Sequence, residues 1–491
     1  MKISRRFPLG LLALSLWGGF ASLSPADEKS AVQAAFDKLA PAAFFNSQHL
    51  DVDLAPYLDG KLDATAFLQA MLDGAGKSGG QLQLPPGRFL IAGCLAIPEG
   101  VTLRGSWDGS QHYNSTRLNS VLMLTAGRDD EGSAPAISLT HSSGLVGFTI
   151  VHPDQRFPDI KPYPWAISGD GYAIHIENIV FVNAYNGIRL GLKDSSLHLV
   201  RNVWGTVLRR GLQIDNCWDI GRVENVHFNP NYFSRNDLGL SPPEGLPNID
   251  QMIANYCRKN LEAFIIGKTD WGSIKDCFVY GARIGYRFIE TKAMGFNGKL
   301  EGVGADACET CLQVENTNPM GILITNGMFV SHPNFLPRKD FAFDWENDPN
   351  HPNQIVTKPG STTPLILTNC SFWGRSESIA RLQGNGLVSF NQCLFREWDG
   401  RGDGSPAIDA QSGKLSVIQC QFQSPEPQGR QHIRVSGDVR SARIIANEAD
   451  GPLHVENQAG GRAIVQYNET GSPQSASKAK AENRKNAPAA P

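Results

Sequence analysis

The sequence predicts an all-β protein, a single-stranded right-handed parallel β-helix (a solenoid) closed at its N-terminal end by a capping helix. Three observations lead there. A polar residue recurs three positions before an aromatic, at Asn178…Phe181, Asn225…Phe228, Asn326…Phe329, Asn369…Phe372, Gln392…Phe395 and Gln419…Phe422. The recurrence has the length of one coil, roughly 20–28 residues. Apolar residues around these pairs alternate with period two, which indicates strands and argues against a helical repeat.

Asn202, Asp276, Asn447 and Asn468 fit the same register without the aromatic, and neighbouring marks lie 24, 23, 23, 27, 28 and 21 residues apart. The longer gaps 225–276, 276–326 and 326–369 mark loops or a weakly marked rung. A second strand follows in many rungs, as in 187–190, 211–214, 263–266, 285–288 and 311–314. Stacked rungs bring equivalent residues within about 4.8 Å. Asn or Gln at a repeated turn then bonds along the stack, and a repeated Phe fills an interior column. Cys370, Cys393 and Cys420 share one rung position and are expected in an inward column of small apolar residues. These are scaffold roles.

The ends follow from composition and punctuation. Met1 to Arg6 is basic, Pro8 to Leu23 is apolar, and Ser24-Pro25-Ala26 offers a cleavage site, so 1–26 reads as a secretory signal peptide. Residues 27–62 form a lead-in with one amphipathic stretch, Ala31 to Leu39. From Asp63 the spacing is helical, with Asp63 or Thr65 as cap and Gly79-Gly80 as the stop. Short strands at 81–84, 88–91 and 101–104 follow, a helix-first arrangement that covers an otherwise open solenoid end. The β-helix domain is expected over 63–469, and the Ser/Ala/Lys/Asn/Pro-rich tail 470–491 is expected to be disordered.

Composition narrows the partners. The 491 residues are 41% hydrophobic and 19% charged, with 50 glycines and 30 prolines. Net charge is −3, or −6 without the first 26 residues, whose only charges are Lys2, Arg5 and Arg6. A nucleic-acid partner would need a basic face, and beyond the leader no stretch has the length of a membrane span. A soluble, secreted or periplasmic protein is expected, in an oligomeric state left open with a trimer among the options. Nine cysteines are too few for a disulfide scaffold and leave at least one thiol unpaired. Cys308 and Cys311 form a lone Cys-x-x-Cys without the second pair that a zinc site needs.

Residues 63–105 carry Gly79-Gly80-Gln81-Leu82-Gln83-Leu84-Pro85-Pro86-Gly87 and Ile97-Pro98-Glu99-Gly100-Val101-Thr102-Leu103-Arg104-Gly105. This segment resembles the N-terminal segment of the pectate-lyase-like superfamily. The resemblance is clear over about 45 residues and loose through about 468. It implies a right-handed parallel β-helix that cleaves polysaccharide by hydrolysis or β-elimination. The stretches 214–222 and 229–232 are similar to a bacterial subgroup of unassigned activity. The polygalacturonase-type motifs Gly-His-Gly and Arg-Ile-Lys and the lyase motif Arg-x-Pro-x-x-Arg are missing, and the single Asp-Asp, Asp129-Asp130, lies in an early loop.

Candidate chemistry comes from the residues themselves. The longest insertions, roughly 229–262 and 331–363, read as functional loops. In the second-strand register Arg189, Gln213, Ile265, Arg287 and Gln313 are expected as outward neighbours. The turns after them supply Asp215, Asp219, Asp270 and Glu290 as candidate catalytic carboxylates, with Glu315 as a substrate-binding one, all on one edge beside the insertions. One rung step suits a retaining carboxylate pair and two suit an inverting pair. Trp218, Trp271 and Tyr232 would stack on sugar faces, while Arg210 and Arg287 would pair with an acidic sugar. Each has a structural alternative: tryptophans pack, and Asp215 or Asp219 cap turns. His227 is a weaker candidate base for elimination.

The expected function is therefore a secreted polysaccharide-cleaving enzyme, a glycoside hydrolase using paired carboxylates. The alternatives are a polysaccharide lyase on an acidic glycan and a non-catalytic glycan-binding β-helix. No cofactor is expected; clustered acids leave Ca²⁺ as an option, although no Asp-x-Asp-x-Asp-Gly loop occurs.

Overall fold

The computed structural model describes residues 53–106, 118–239, 249–331, 352–374, 376–400, 402–423 and 430–471. The leader 1–26, the lead-in up to 52 and the tail from 472 lie outside the described residues, as do parts of both long insertions.

The chain winds as a right-handed coil whose strands pair only in parallel, forming three long ladders. Sheet A runs through 175–177, 199–201, 222–224, 273–275 and 322–325, and ends at 463–466. Sheet B runs through 179–181, 203–205, 226–228, 278–280 and 328–331 to 469–471. Sheet C runs through 186–190, 210–214, 262–266, 284–288 and 310–314 to 455–457. Each turn of the coil passes A, B and C in that order.

The A–B corner explains the polar mark. Asn178, Asn202, Asn225, Asp276, Asn326, Asn369, Gln392 and Gln419 all have φ between 51° and 56°. This is the left-handed region, which Asn tolerates better than most residues. The amides also bond up the stack: Asn202 Nδ2 donates to Asn178 Oδ1 and Asn225 Nδ2 to Asn202 Oδ1, both at 2.9 Å. Of the alternatives left open for the long gaps, loops or a weakly marked rung, the gap 276–326 holds a rung, with Gly302 at the bend (φ 62°). A Cβ there would meet Asp276 Oδ1 at 2.8 Å, so a side chain at this bend would have to push that carboxylate aside.

The last two marks are off by one. Ala446 and Tyr467 make the bends, while buried Asn447 continues the column of Cys370, Cys393 and Cys420. Its Oδ1 accepts from Cys420 N and its Nδ2 donates to Val417 O. An amide therefore replaces a thiol inside the coil. The aromatic column is as expected: Phe329, Phe372, Phe395 and Phe422 stack with centroids 5.4, 5.4 and 4.8 Å apart. All nine cysteines are free thiols, with Cys94 alone exposed, and Cys308 and Cys311 are buried.

Helix α1 (Thr65–Ala75) closes the N-terminal end by burying Phe67, Leu68, Met71 and Leu72. The cap position is Ala64 and not the expected Asp63 or Thr65, and its side chain caps nothing; Asp63, one residue earlier, accepts from Thr65 N at 2.9 Å. The helix stops at Gly76 rather than at Gly79-Gly80, which instead turn with positive φ into sheet A. A strand before it, Asp59–Asp63, already pairs with 87–91, so the coil starts inside the expected lead-in.

Four imidazoles, His152, His198, His227 and His432, are pushed down to about 4 by burial. They fold neutral. As pH falls from about 6.5 to about 4 the unfolded chain binds protons the native state refuses, so stability rises with pH in that window. Thermal melts should show Tm falling steadily as pH is lowered from about 7 to about 5; a flat Tm would contradict these neutral histidines.

Candidate functional site

Sheet C and its two borders hold the residues singled out above, but in two groups. The expected outward register is present: Arg189, Gln213, Ile265, Arg287 and Gln313 are successive partners in sheet C. Asp215, Asp219, Asp270, Glu290 and Glu315 lie in the turns that leave this sheet, at the C–A corner. Both long insertions open at the other corner, between B and C, where helices α2 (Asn231–Ser234) and α3 (Ile249–Asn260) follow the strand 222–228. The expectation that the acids sit beside the insertions is thus corrected, because the width of sheet C separates them.

At the C–A corner the turns stack through backbone bonds. Leu197 N donates to Asp219 O, Asp270 N to Cys217 O, and Cys217 bridges to Thr269. Within this stack one network joins five residues. Lys268 is only 2% exposed; its Nζ meets Asp270 Oδ1 at 2.5 Å and lies 5.1 Å from the centre of the Trp218 ring. Asn297 Nδ2 donates to Asp270 Oδ1 at 2.7 Å, and Asn297 Oδ1 accepts from Trp271 N at 3.1 Å. Trp271 has φ 51° and is 78% exposed. A left-handed backbone on a bulky residue costs of order 1–3 kcal/mol, and here no packing of the indole offsets it. Trp218 is 55% exposed.

The other predicted acids divide by their partners. Asp215 Oδ1 accepts from the backbone N–H of Asn216 and of Lys268, both at 2.8 Å, so this carboxylate caps two turns. Asp219 is exposed, and no hydrogen bond or ion pair engages its carboxylate among the described residues. Glu290, also exposed, accepts from Asn316 Nδ2 at 3.2 Å.

On the outer face of sheet C the charges interlock. Arg210 Nη1 meets Glu131 Oε1 at 2.7 Å, and its guanidinium lies 5.9 Å from the Trp165 ring centre. Arg287 bridges Glu262 Oε2 (2.9 Å) and Glu315 Oε1 (2.7 Å), while Arg283 also pairs with Glu262. Arg189 differs. Among the described residues it donates to Ser168 Oγ alone, lies 5.8 Å from the Trp165 centre, and is pushed down by burial and by neighbouring Arg210.

Two candidates are placed where they cannot serve. Tyr232 is 3% exposed and packs against Val180 and Trp204 on sheet B, so it has no face for a sugar. His227 lies in sheet B with its ring against Phe278 at 5.0 Å, far around the coil from the acids. Sequence reasoning missed Lys268, Asn297, Trp165, Arg189 as a ligand group, Glu131 and Glu262. Lys268 was findable two residues before Asp270; Glu131 was not, because it reaches sheet C from a loop 79 residues before Arg210.

No protein-family model matches the chain, and no curated protein matches it. Solved structures do. The pre-mature gene product 12 of bacteriophage phi29 is similar at 12% identity over 87% of this chain and 55% of its own, with a TM-score of 0.50. The fold is the right-handed parallel β-helix. The A-module of mannuronan C-5 epimerase AlgE6 from Azotobacter vinelandii matches at 10% identity over 88% of this chain and all of its own (TM-score 0.39). The catalytic unit of a GH87 α-1,3-glucanase from Streptomyces thermodiastaticus matches at 11% identity over 89% and 70% (TM-score 0.36). At these identities the likeness is one of fold.

Proposed function

We propose that the protein is a secreted or periplasmic carbohydrate-active enzyme, a glycoside hydrolase whose carboxylate pair is Asp219 and Asp270 at the C–A corner. The observation that carries this reading is the pair of exposed indoles, Trp218 and Trp271, beside those acids and joined by a network of buried Lys268 with half-buried Asp270 and Asn297. Two exposed indoles, one of them (Trp271) held in water at the cost of backbone strain, support a stacking role for a sugar.

The turns of Asp219 and Asp270 are one rung apart, a step of about 4.8 Å. Carboxylates on adjacent rungs suit a retaining pair, which needs about 5–5.5 Å between its carboxyl groups. Asp270, beside the Lys268 ammonium, suits the anionic role of attacking the anomeric carbon. Asp219, in no ion pair among the described residues, suits proton donation to the leaving oxygen and, in the second step, proton abstraction from water. Asp215 is left out because both its bonds serve turns, and Glu290 and Glu315 act as polar contacts for the substrate.

One observation favours a second reading. Arg189, half-buried beside Trp165 and in no ion pair among the described residues, with Asp170 the one carboxylate whose charge reaches it, suits an anionic sugar on sheet C and hence elimination from an acidic glycan. A panel of neutral and acidic polysaccharides decides between them. Hydrolysis releases reducing ends without ultraviolet absorbance, elimination releases an unsaturated, absorbing product, and binding without either product leaves a glycan-binding β-helix.

A further inference from the structure

The apolar side chains of the C–A corner do not stop at the two indoles. Six successive turns each expose at least one: Tyr172, then Leu192 and Leu197, Trp218, Trp271, Met294 and Met320, with exposures from 43% to 78%. The turns are stacked in that order. Gly171 N donates to Asp194 O, Ser195 N to Asn216 O, Cys217 N to Lys268 O, Trp271 N to Asn297 Oδ1 and Asn318 N to Phe296 O. The line spans five rung steps, about 24 Å. It ends at both sides: the next turn, 358–364, holds Lys358, Pro359, Gly360 and Thr362 at its surface. Before Tyr172, His141 lies against its ring with centroids 4.5 Å apart.

We infer that this line is the binding track of an extended glycan lying along the coil axis, so that the enzyme cuts chains internally. The inference rests on the hydrolase reading of Asp219 and Asp270, which lie at its middle. Its width argues for a sugar chain over a protein partner. A stable protein interface needs about 800 Å² from each side, and a single file of side chains with exposed acids between them offers no such patch. A glycan presents what the track matches: apolar C–H faces for the indoles and methionines, and hydroxyl edges for Asp219, Asp270 and Glu290. Each sugar advances the chain by a length of the order of one rung, so successive units meet successive turns. With three turns on the Tyr172 side and two on the Met320 side of the Asp270 turn, both ends of the chain continue past the scissile bond.

Tyr172→Gln and Met320→Gln test the track at its two ends, each two rungs from the nearer acid and on exposed side chains whose change leaves the core intact. Native-gel retardation by each polysaccharide of the panel is read on the parent and both variants, and cleavage of size-fractionated oligomers of any cleaved glycan is read alongside. The expected result is weaker retardation in both variants, by about tenfold in affinity for about 1.4 kcal/mol. It also includes kcat/KM rising with length to about six sugars, one per turn, and long fragments released first. Equal retardation of parent and variants, length-independent kcat/KM, or release of single sugars from chain ends overturns the track. Retardation weakened by both variants without any cleavage keeps the track and removes the hydrolase reading.

Discussion

Asp219→Asn should lower kcat by about 10²–10⁴-fold while leaving Tm within a degree or so of the parent, since it removes a proton donor and nothing else. The carboxylate is exposed and engages no partner among the described residues, so its amide isostere has no interaction to break. An exposed substitution of this kind changes stability by less than about 0.5 kcal/mol. Reducing-end assays on the cleaved polysaccharide, with thermal melts of the same preparations, check both halves. Full activity in Asp219→Asn would remove this residue from the carboxylate pair. The effect should fall on kcat and kcat/KM together, as when an interaction made only in the transition state is lost.

Asp270→Ala should instead destabilise the fold, by about 3–5 kcal/mol. Its partner Lys268 is 2% exposed and, among the described residues, pairs with no carboxylate but Asp270, with the Trp218 face beside it. Removing the acid leaves an ammonium in a place water does not reach. The same change frees Asn297 Nδ2, and with it the brace on the strained backbone of Trp271. The double variant Lys268→Met, Asp270→Ala should recover most of the loss, because replacing both charges by apolar groups removes the unpaired charge. Denaturant unfolding of the parent, both single variants and the double variant gives the coupling energy directly. A coupling below about 0.5 kcal/mol would show that the pair does not hold this corner.

The rung register was legible because it is written in local chemistry. Asn178, Asn202 and Asn225 mark a left-handed bend that most residues resist, and the bend must recur once per coil. The neighbours Arg189, Gln213, Ile265, Arg287 and Gln313 then followed from counting. Counting failed at Asn447 and Asn468, where Ala446 and Tyr467 take the bend and an amide at the next position imitates the mark.

The candidate site was half legible. Turn positions placed Asp219, Asp270 and both indoles on one edge, but which corner the insertions open from depends on whether they follow sheet B or sheet C. Both follow strands of sheet B, 226–228 and 328–331, and the second-strand pattern alone does not show that. Tyr232 was misjudged because its short helix α2 folds back over sheet B, burying a ring that the sequence leaves undetermined.

The bends at the A–B corner have a consequence for how such a chain tolerates editing. In an ordinary sheet a one-residue slip sends every later side chain to the wrong face. Here each left-handed bend, from Asn178 to Tyr467, resets the alternation, so an inserted or deleted residue scrambles at most the remainder of its own rung. The chain behaves like a text with punctuation in every line, in which an error cannot spread past the next mark. That explains how some thirty residues with two helices fit between strands 222–228 and 262–266 without disturbing the coils beyond. It also predicts where variation concentrates in proteins built this way: in the unpunctuated corners, with the Asn ladder held fixed.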